Sequence, residues 1–249
     1  MQFTVVLSET TDGTMPVRVF TPPGDCRKGG IIFYMDAFGL RPELDAMCWR
    51  YANAGYVVFM PDLYYRLGDL HFEVPGGPDE ALDPAMVTAN VGTTVEMSIA
   101  DTGALIAHIL DSPGYGVSRL GTVGYCMGAR HALGAGAVHR DRITAIACLH
   151  GGRLVWPGDN SPHHYIGRVA GAVFFGFAAD DETCPDTDQA LIENEIRSCG
   201  IRGETEHYAA AHGWTFPTRW CYDRGAAEHA FARVLTLFDA NVAVDTLPA

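Results

Sequence analysis

Residues 121–130, G-T-V-G-Y-C-M-G-A-R, constrain this chain more than any other stretch. Leu120, Thr122 and Val123 close a β-favouring run, and Ala129, His131, Ala132 and Leu133 open a helical pattern. Between them Gly124, Cys126 and Gly128 form G-x-C-x-G. A strand that turns this sharply into a helix holds the middle residue in a strained conformation. The residues two before and two after it must then be nearly free of side chain. In return the sulfur projects above the sheet, and the backbone N–H of Met127 at the helix start faces any oxyanion that forms. The pattern is a nucleophile elbow with cysteine in the serine position. Read alone, it is equally a glycine-packed βα turn around a buried, inert cysteine.

The rest of the 249-residue chain decides between the two. Strand and helix patterns alternate. Short strands are expected at 3–8 and 17–20, and a buried strand at 31–35 precedes the turn D-A-F-G-L-R-P. Leu44, Met47, Cys48, Tyr51 and Ala52 have helical spacing, as do Val95, Ile99, Thr102, Ile106 and Ile109. Further strands are expected at 143–149, 172–177 and 204–208, and helices at 185–199 and 226–238. The alternation predicts an α/β fold, a mostly parallel central sheet of about seven to eight strands with helices on both faces. We read residues 1–249 as a single domain. Residues 68–92, rich in Gly, Pro and acids, read as an insertion or lid loop.

Composition narrows the function classes. With 48% hydrophobic and 19% charged residues the chain supports a sizeable core. A net charge of −13 disfavours nucleic acid and anionic membrane as partners, since phosphate binding needs a basic face. The N-terminus lacks the pattern of a signal peptide, and no apolar run of membrane-spanning length is present. Seven scattered cysteines (26, 48, 126, 148, 184, 199 and 221) without C-x-x-C pairs suit a reducing, cytoplasmic setting. They point to neither a disulfide framework nor a zinc site. No cofactor or metal is implied, and a monomer or small homo-oligomer is expected.

Ligands of open α/β sheets bind beyond the carboxyl ends of the strands. Four strand-end segments carry candidate groups there: Asp36, Cys126, Asp180 or Asp181, and His212. Nucleophile, acid, histidine is the chain order of the α/β-hydrolase fold. The intervals leave room for the strand and helix each requires. His150, in L-H-G-G, is a candidate for the pocket wall or for a structural role. The pair His163–His164 lacks companions for a metal site.

On M-D-A-F-G-L-R-P, P-D-L-Y-Y-R, V-G-Y-C-M-G, F-A-A-D-D-E-T-C-P and A-A-A-H-G-W-T-F, the chain resembles the dienelactone hydrolase family nearly end to end. The cysteine elbow is the specific mark, since most α/β hydrolases use serine. The resemblance implies cleavage of an ester or lactone, a small-molecule substrate, by a Cys126–His212–Asp triad through an acyl-enzyme. The acid of this fold usually stands four residues before a proline, which selects Asp181 against Pro185, with Asp180 the alternative. The resemblance also implies an oxyanion hole from the N–H groups of Ala37 and Met127. It further implies a carboxylate after the third strand that interacts with the resting thiol, at Asp36 where the best-known members have glutamate; one methylene shorter, the aspartate is expected to reach the thiol more loosely or through water, with a turn residue capping the next helix as the alternative. Those members clamp a substrate carboxylate with two arginines. Here Phe216 falls where one is expected, and residues 68–92 contain no Arg or Lys. Arg41, Arg66 and Arg219 are the possible replacements, with surface or structural ion pairing as the equal alternative for each. Phe38, Tyr64, Trp214, Phe216 and Trp220 suggest an aromatic pocket, with core packing as the alternative for each. Other readings are a thioesterase or general carboxylesterase on uncharged esters, or a catalytically silent binding protein on the same fold.

Overall fold

The structure, a computed structural model, describes residues 2–24 and 27–243. Cys26, one of the seven cysteines, lies outside them. Eight strands form one sheet: β1 Thr4–Thr10, β2 Gly13–Phe20, β3 Gly29–Tyr34, β4 Tyr56–Pro61, β5 Leu120–Tyr125, β6 Ile143–Leu149, β7 Ala172–Asp180 and β8 Arg202–Ala211. Their order is β1-β2-β4-β3-β5-β6-β7-β8. The strands from β4 across to β8 run parallel, and β2 pairs antiparallel with both β1 and β4. Every residue of β3, β4 and β5 is buried, as expected of strands covered on both faces.

Among the described residues six α-helices complete the architecture: α1 Pro42–Asn53, α2 Pro84–Gly92, α3 Val95–Leu110, α4 Met127–Val138, α5 Asp186–Ser198 and α6 Arg224–Asn241. Their ends carry recognisable signals. α1 starts with proline, has Glu43 and Asp45 in its first turn and Arg50 in its last, and so complements the helix dipole. Thr94 caps α3 by accepting from the Met97 N–H, and Asp223 caps α6 through the Ala226 N–H. No helix among the described residues is long and apolar enough to cross a membrane.

Topology places the site. The crossover from β3 through α1 to β4 steps one way along the sheet, and the next, through α3 to β5, steps back past β3. Right-handed crossovers of opposite direction put α1 and α3 on opposite faces. The carboxyl ends of β3 and β5 therefore flank the point where the winding reverses, the usual place for a ligand crevice.

One expectation needs correcting. Residues 68–92 are not all loop: an irregular stretch to residue 83 is followed by α2, whose first turn is set by Asp83 accepting from the Ala85 N–H at 2.8 Å and by Pro84. The irregular part lies against the turn after β3, through a bridge between Gly39 and His71 and the Phe72 N–H donating to the Phe38 carbonyl at 2.9 Å. Most other boundaries shift by one to four residues, the usual fraying of element ends.

Candidate active site

Cys126 sits between β5 and α4 with φ 54° and ψ −118°, a conformation that costs a non-glycine residue energy and is held by its surroundings. Its N–H donates to the Leu149 carbonyl at 3.1 Å, and its own carbonyl accepts from the N–H groups of Ala129 and Gly152, both at 3.2 Å. The flanking glycines are obligatory. A Cβ on Gly124 would lie 2.1 Å from the Gly128 carbonyl oxygen, and one on Gly128 would lie 2.2 Å from the Tyr34 oxygen and 2.6 Å from that of Met35. The start of α4 is thus pressed against the end of β3, which brings the Asp36–Phe38 turn to the elbow. The first turns of α4 are buried on all sides, and the small residues of G-A-R-H-A-L-G-A-G-A permit that approach.

His212 follows β8. Its Nδ1 donates to Asp181 Oδ2 at 2.7 Å. The other carboxylate oxygen accepts from the Thr183 N–H at 2.9 Å and the Thr183 hydroxyl at 2.6 Å. Asp180 ends β7 exposed, whereas Asp181 is buried, so Asp181 is the residue joined to His212. With Nδ1 committed to the carboxylate, Nε2 is left for the thiol. Burial alone pushes the Cys126 thiol up, but the His212 charge and hydrogen bond outweigh it, and the Met127 N–H adds to them, so the thiol is lowered. Burial likewise opposes the His212 cation. Cys126 and Asp181 overcome it, and the imidazole is raised. Burial raises Asp181, while His212 and Thr183 bring it below the usual range. The arrangement favours a thiolate beside an imidazolium.

The Ala37 N–H has no hydrogen-bond acceptor among the described residues, while the Ala37 carbonyl accepts from the Tyr64 hydroxyl at 2.9 Å. The same hydroxyl contacts Met127 Sδ at 3.4 Å, so buried Tyr64 braces both residues expected to supply the oxyanion donors. Its side chain supports the site from below.

Asp36 is bonded to Arg41 and not directly to the thiol, in keeping with its shorter side chain. Arg41 takes both its oxygens in a fork, Nη1 to Oδ1 at 2.5 Å and Nη2 to Oδ2 at 2.9 Å, and also binds Glu43 at 2.8 Å. The Asp36 charge still opposes thiolate formation from a distance. Arg41 is thereby occupied within the protein rather than presented to a ligand. Arg66 is occupied elsewhere: it pairs with buried Asp101 through both terminal nitrogens, at 2.7 and 2.8 Å, and with Asp12. Arg219 differs from both. It lies over the Phe38 ring, 5.2 Å from the centroid, and pairs with no carboxylate among the described residues. Trp214 and Phe216 are fully buried and form a layer behind the histidines rather than a pocket wall. Trp214 stacks on Tyr208 at 4.2 Å, and Phe216 packs on His150 at 5.2 Å. Trp220 stands exposed, and Phe38 is nearly buried.

Two supporting residues had weak sequence signals. Thr183 gave none beyond its place two residues after Asp181. His150 has a positive φ of 35°, bonds the Thr215 hydroxyl through Nε2 at 2.7 Å and meets the His212 ring edge-on at 5.2 Å. Burial holds its pKa well below the ordinary histidine value, so it backs His212 as a neutral ring.

A profile of the dienelactone hydrolase family matches residues 15–242. A Salmonella typhi protein proposed to be a carboxymethylenebutenolidase is 23% identical over 235 residues, covering 92% of this chain and 79% of that one. A carboxymethylenebutenolidase of Rhodococcus opacus is 29% identical over 136 residues, 54% of this chain and 49% of its own. The crystal structure of a Klebsiella pneumoniae protein proposed to be a dienelactone hydrolase matches with a TM-score of 0.80 at 22% identity, covering 96% of this chain and 99% of that one. At that identity the likeness speaks for the shared α/β-hydrolase fold. With the profile spanning nearly its whole length, the chain belongs to the dienelactone hydrolase family.

Proposed function

We propose that this carboxylic ester hydrolase cleaves an ester or lactone through an acyl-cysteine formed on Cys126, with His212 as the acid–base group and Asp181 as its orienting carboxylate. The observation that carries the reading is the 2.7 Å His212–Asp181 bond, made by a histidine whose remaining nitrogen is left for a strained, glycine-flanked cysteine. The thiolate attacks the carbonyl carbon, and the oxygen takes up the negative charge. The N–H groups of Ala37 and Met127 receive that charge, worth about 3 kcal/mol per donor where such donors have been removed. His212 gives its Nε2 proton to the departing alkoxide. It then takes one from water, which cleaves the thioester and restores the thiolate. Asp181 holds the imidazole in the tautomer both half-reactions need.

Asp36 works against the thiolate and Arg41 tempers that effect, so the pair sets how much thiolate rests in the free enzyme. Of the three arginines considered for a substrate carboxylate, Arg219 alone is unoccupied by an internal carboxylate among the described residues. A carboxylated lactone would be held there against Phe38. With Arg41 and Arg66 engaged, neutral esters form the second substrate class. A reactive thiolate keeps its function in a reducing compartment, and the cytoplasm suits this chemistry.

The test is turnover of dienelactone and of p-nitrophenyl acetate by the wild-type protein and by Cys126→Ala. The reading expects hydrolysis of at least one substrate and its loss in the variant. Absence of Cys126-dependent turnover of both would return the chain to a binding role.

A further inference from the structure

A cavity of about 360 Å³ lies between α1, α6 and the loop that follows His212. Its wall is largely apolar and includes Met47, Tyr51, Tyr125, Leu149, Phe231 and Val234. None of Cys126, Asp181 and His212 lines it. It nevertheless backs onto them: Tyr125 precedes Cys126, Leu149 precedes His150, and Thr215, also in the wall, follows His212 by three residues. The cavity thus sits at the carboxyl ends of β5 and β6, on the face of the sheet that carries α1 and α6.

The two charged residues that line it are already satisfied. Glu43 accepts from Arg41 Nη2 and from the Thr218 N–H, both at 2.8 Å. Arg50 Nη2 donates to Glu228 at 2.6 Å, and its guanidinium lies over the Phe231 ring, 3.9 Å from the centroid. A charged ligand entering the cavity would lose its hydration and find no free counter-charge. One polar group is left over. The hydroxyls of Tyr51 and Tyr125, both buried, lie 2.7 Å apart, and burial keeps both phenols protonated. Each hydroxyl carries one proton, and only one of the two can serve the bond between them. The other has no acceptor among the described residues. The wall therefore offers a single hydrogen-bond donor in apolar surroundings.

We propose that this cavity binds an uncharged molecule of one or two rings carrying a carbonyl or ether oxygen, at a site separate from the ester being cleaved. An apolar cavity of about 150 Å³ holds a benzene ring, so the volume here has room for more than one. The oxygen accepts the spare tyrosine proton, and the rings meet the apolar wall. Thr215 carries the occupancy to the catalytic site. Its hydroxyl bonds His150 Nε2 at 2.7 Å, and the His150 ring meets that of His212 edge-on at 5.2 Å. A ligand packed against Thr215 fixes that hydroxyl and with it the ring behind His212, so kcat responds while the KM for the ester does not. The link to catalysis rests on the ester-hydrolase reading, whereas the binding does not.

The decisive experiment is calorimetric titration of the wild-type protein with acetophenone, ethylbenzene and benzoate, repeated on Ala230→Leu and Ala46→Phe. Both alanines line the cavity, Ala230 buried on α6 and Ala46 exposed on α1, so Ala46→Phe decides the matter if Ala230→Leu fails to fold. Acetophenone should bind about fivefold more tightly than ethylbenzene, which lacks the oxygen, and benzoate should not bind. Each variant should weaken acetophenone about tenfold or more by filling the space. No binding of acetophenone, equal binding of ethylbenzene or benzoate, or affinity unchanged in the folded variants overturns the assignment. A wild-type dimer that Ala46→Phe dissociates in sedimentation would give the cavity to a second copy of the chain and overturn it likewise. In parallel, saturating acetophenone should change kcat for p-nitrophenyl acetate by about twofold or more with KM unchanged, and Ala46→Phe should abolish the response. A raised KM alone would put acetophenone at the elbow and overturn the separate site, and binding with kcat unaltered would overturn the link through Thr215. Failure of the wild-type protein to hydrolyse the ester would count against the catalytic reading alone, since the titration still decides the cavity.

Discussion

Replacing Gly128 by alanine puts a methyl group where the end of β3 already stands. The new Cβ would lie 2.2 Å from the Tyr34 carbonyl oxygen, and real Cβ atoms essentially never come closer than 3.0 Å. The start of α4 must therefore retreat by at least 0.8 Å, the difference between those distances. Both opposing atoms belong to backbone carbonyls, of Tyr34 and Met35, so no side chain can swing aside. The retreat carries Cys126 and the Met127 N–H away from Ala37, across the gap where the oxyanion forms. A displacement of about 1 Å in a reacting geometry costs about 10²-fold, and overpacking of this kind about 1–3 kcal/mol of stability. The expected outcome for Gly128→Ala is a kcat/KM on p-nitrophenyl acetate lowered about 10²-fold, with a melting temperature down by roughly 2–10 °C. Gly92→Ala is the control. Nothing lies within 4 Å of a Cβ at that position, and alanine favours the helix it ends. Its kcat/KM should match wild type and its melting temperature should not fall. A Gly128→Ala protein with wild-type kcat/KM and wild-type melting would refute the claim that contact with β3 sets the elbow.

Three other outcomes follow from the same geometry. The pH dependence of Cys126 alkylation by iodoacetamide should level off below the ordinary thiol range, because His212 lowers the thiol against burial. In His212→Ala the inflection should move above it, since burial and the Asp36 charge are then opposed only by the Met127 N–H. Asp181→Asn removes a charge-assisted bond at 2.7 Å and should lower kcat about 10- to 100-fold, while Asp180→Asn, at an exposed carboxylate, should leave it within about twofold. Arg66→Ala strips Asp101, whose side chain is 4% exposed, of its ion pair. It should cost about 3 kcal/mol in denaturant melts and leave the KM for esters unchanged, because the pair lies outside the site.

The elbow was legible in sequence because its code is local and steric: two glycines at fixed spacing around a cysteine, a strand run before and a helix run after. The sheet followed from alternation of buried runs with helical periodicity. Asp181 was selected by its spacing to Pro185, and the structure joins that residue to His212. What sequence could not supply was the partner of each charged or aromatic side chain. Arg66 and Asp101 are 35 residues apart and meet only once α3 has packed, so the sequence left Arg66 open between a substrate contact and a structural pair. Arg41 is five residues from Asp36, yet its fork onto that carboxylate depends on how the turn after β3 closes. Trp214 and Phe216 follow the histidine directly, and whether such rings face a pocket or the interior is settled by packing rather than by type. α2 was hidden by the Gly, Pro and acidic residues before it, although Asp83 and Pro84 together spell a helix start.

The most direct test of the central claim is the intact mass of the protein, acid-quenched during turnover of p-nitrophenyl acetate and followed by peptide mapping. The account predicts a fraction of molecules heavier by one acetyl group, the acetyl mapping to the peptide that holds Cys126 and released by hydroxylamine. It also predicts that His212→Ala accumulates little of this species. Sustained turnover with no acyl group on Cys126, or with the acyl group on another residue, would contradict it.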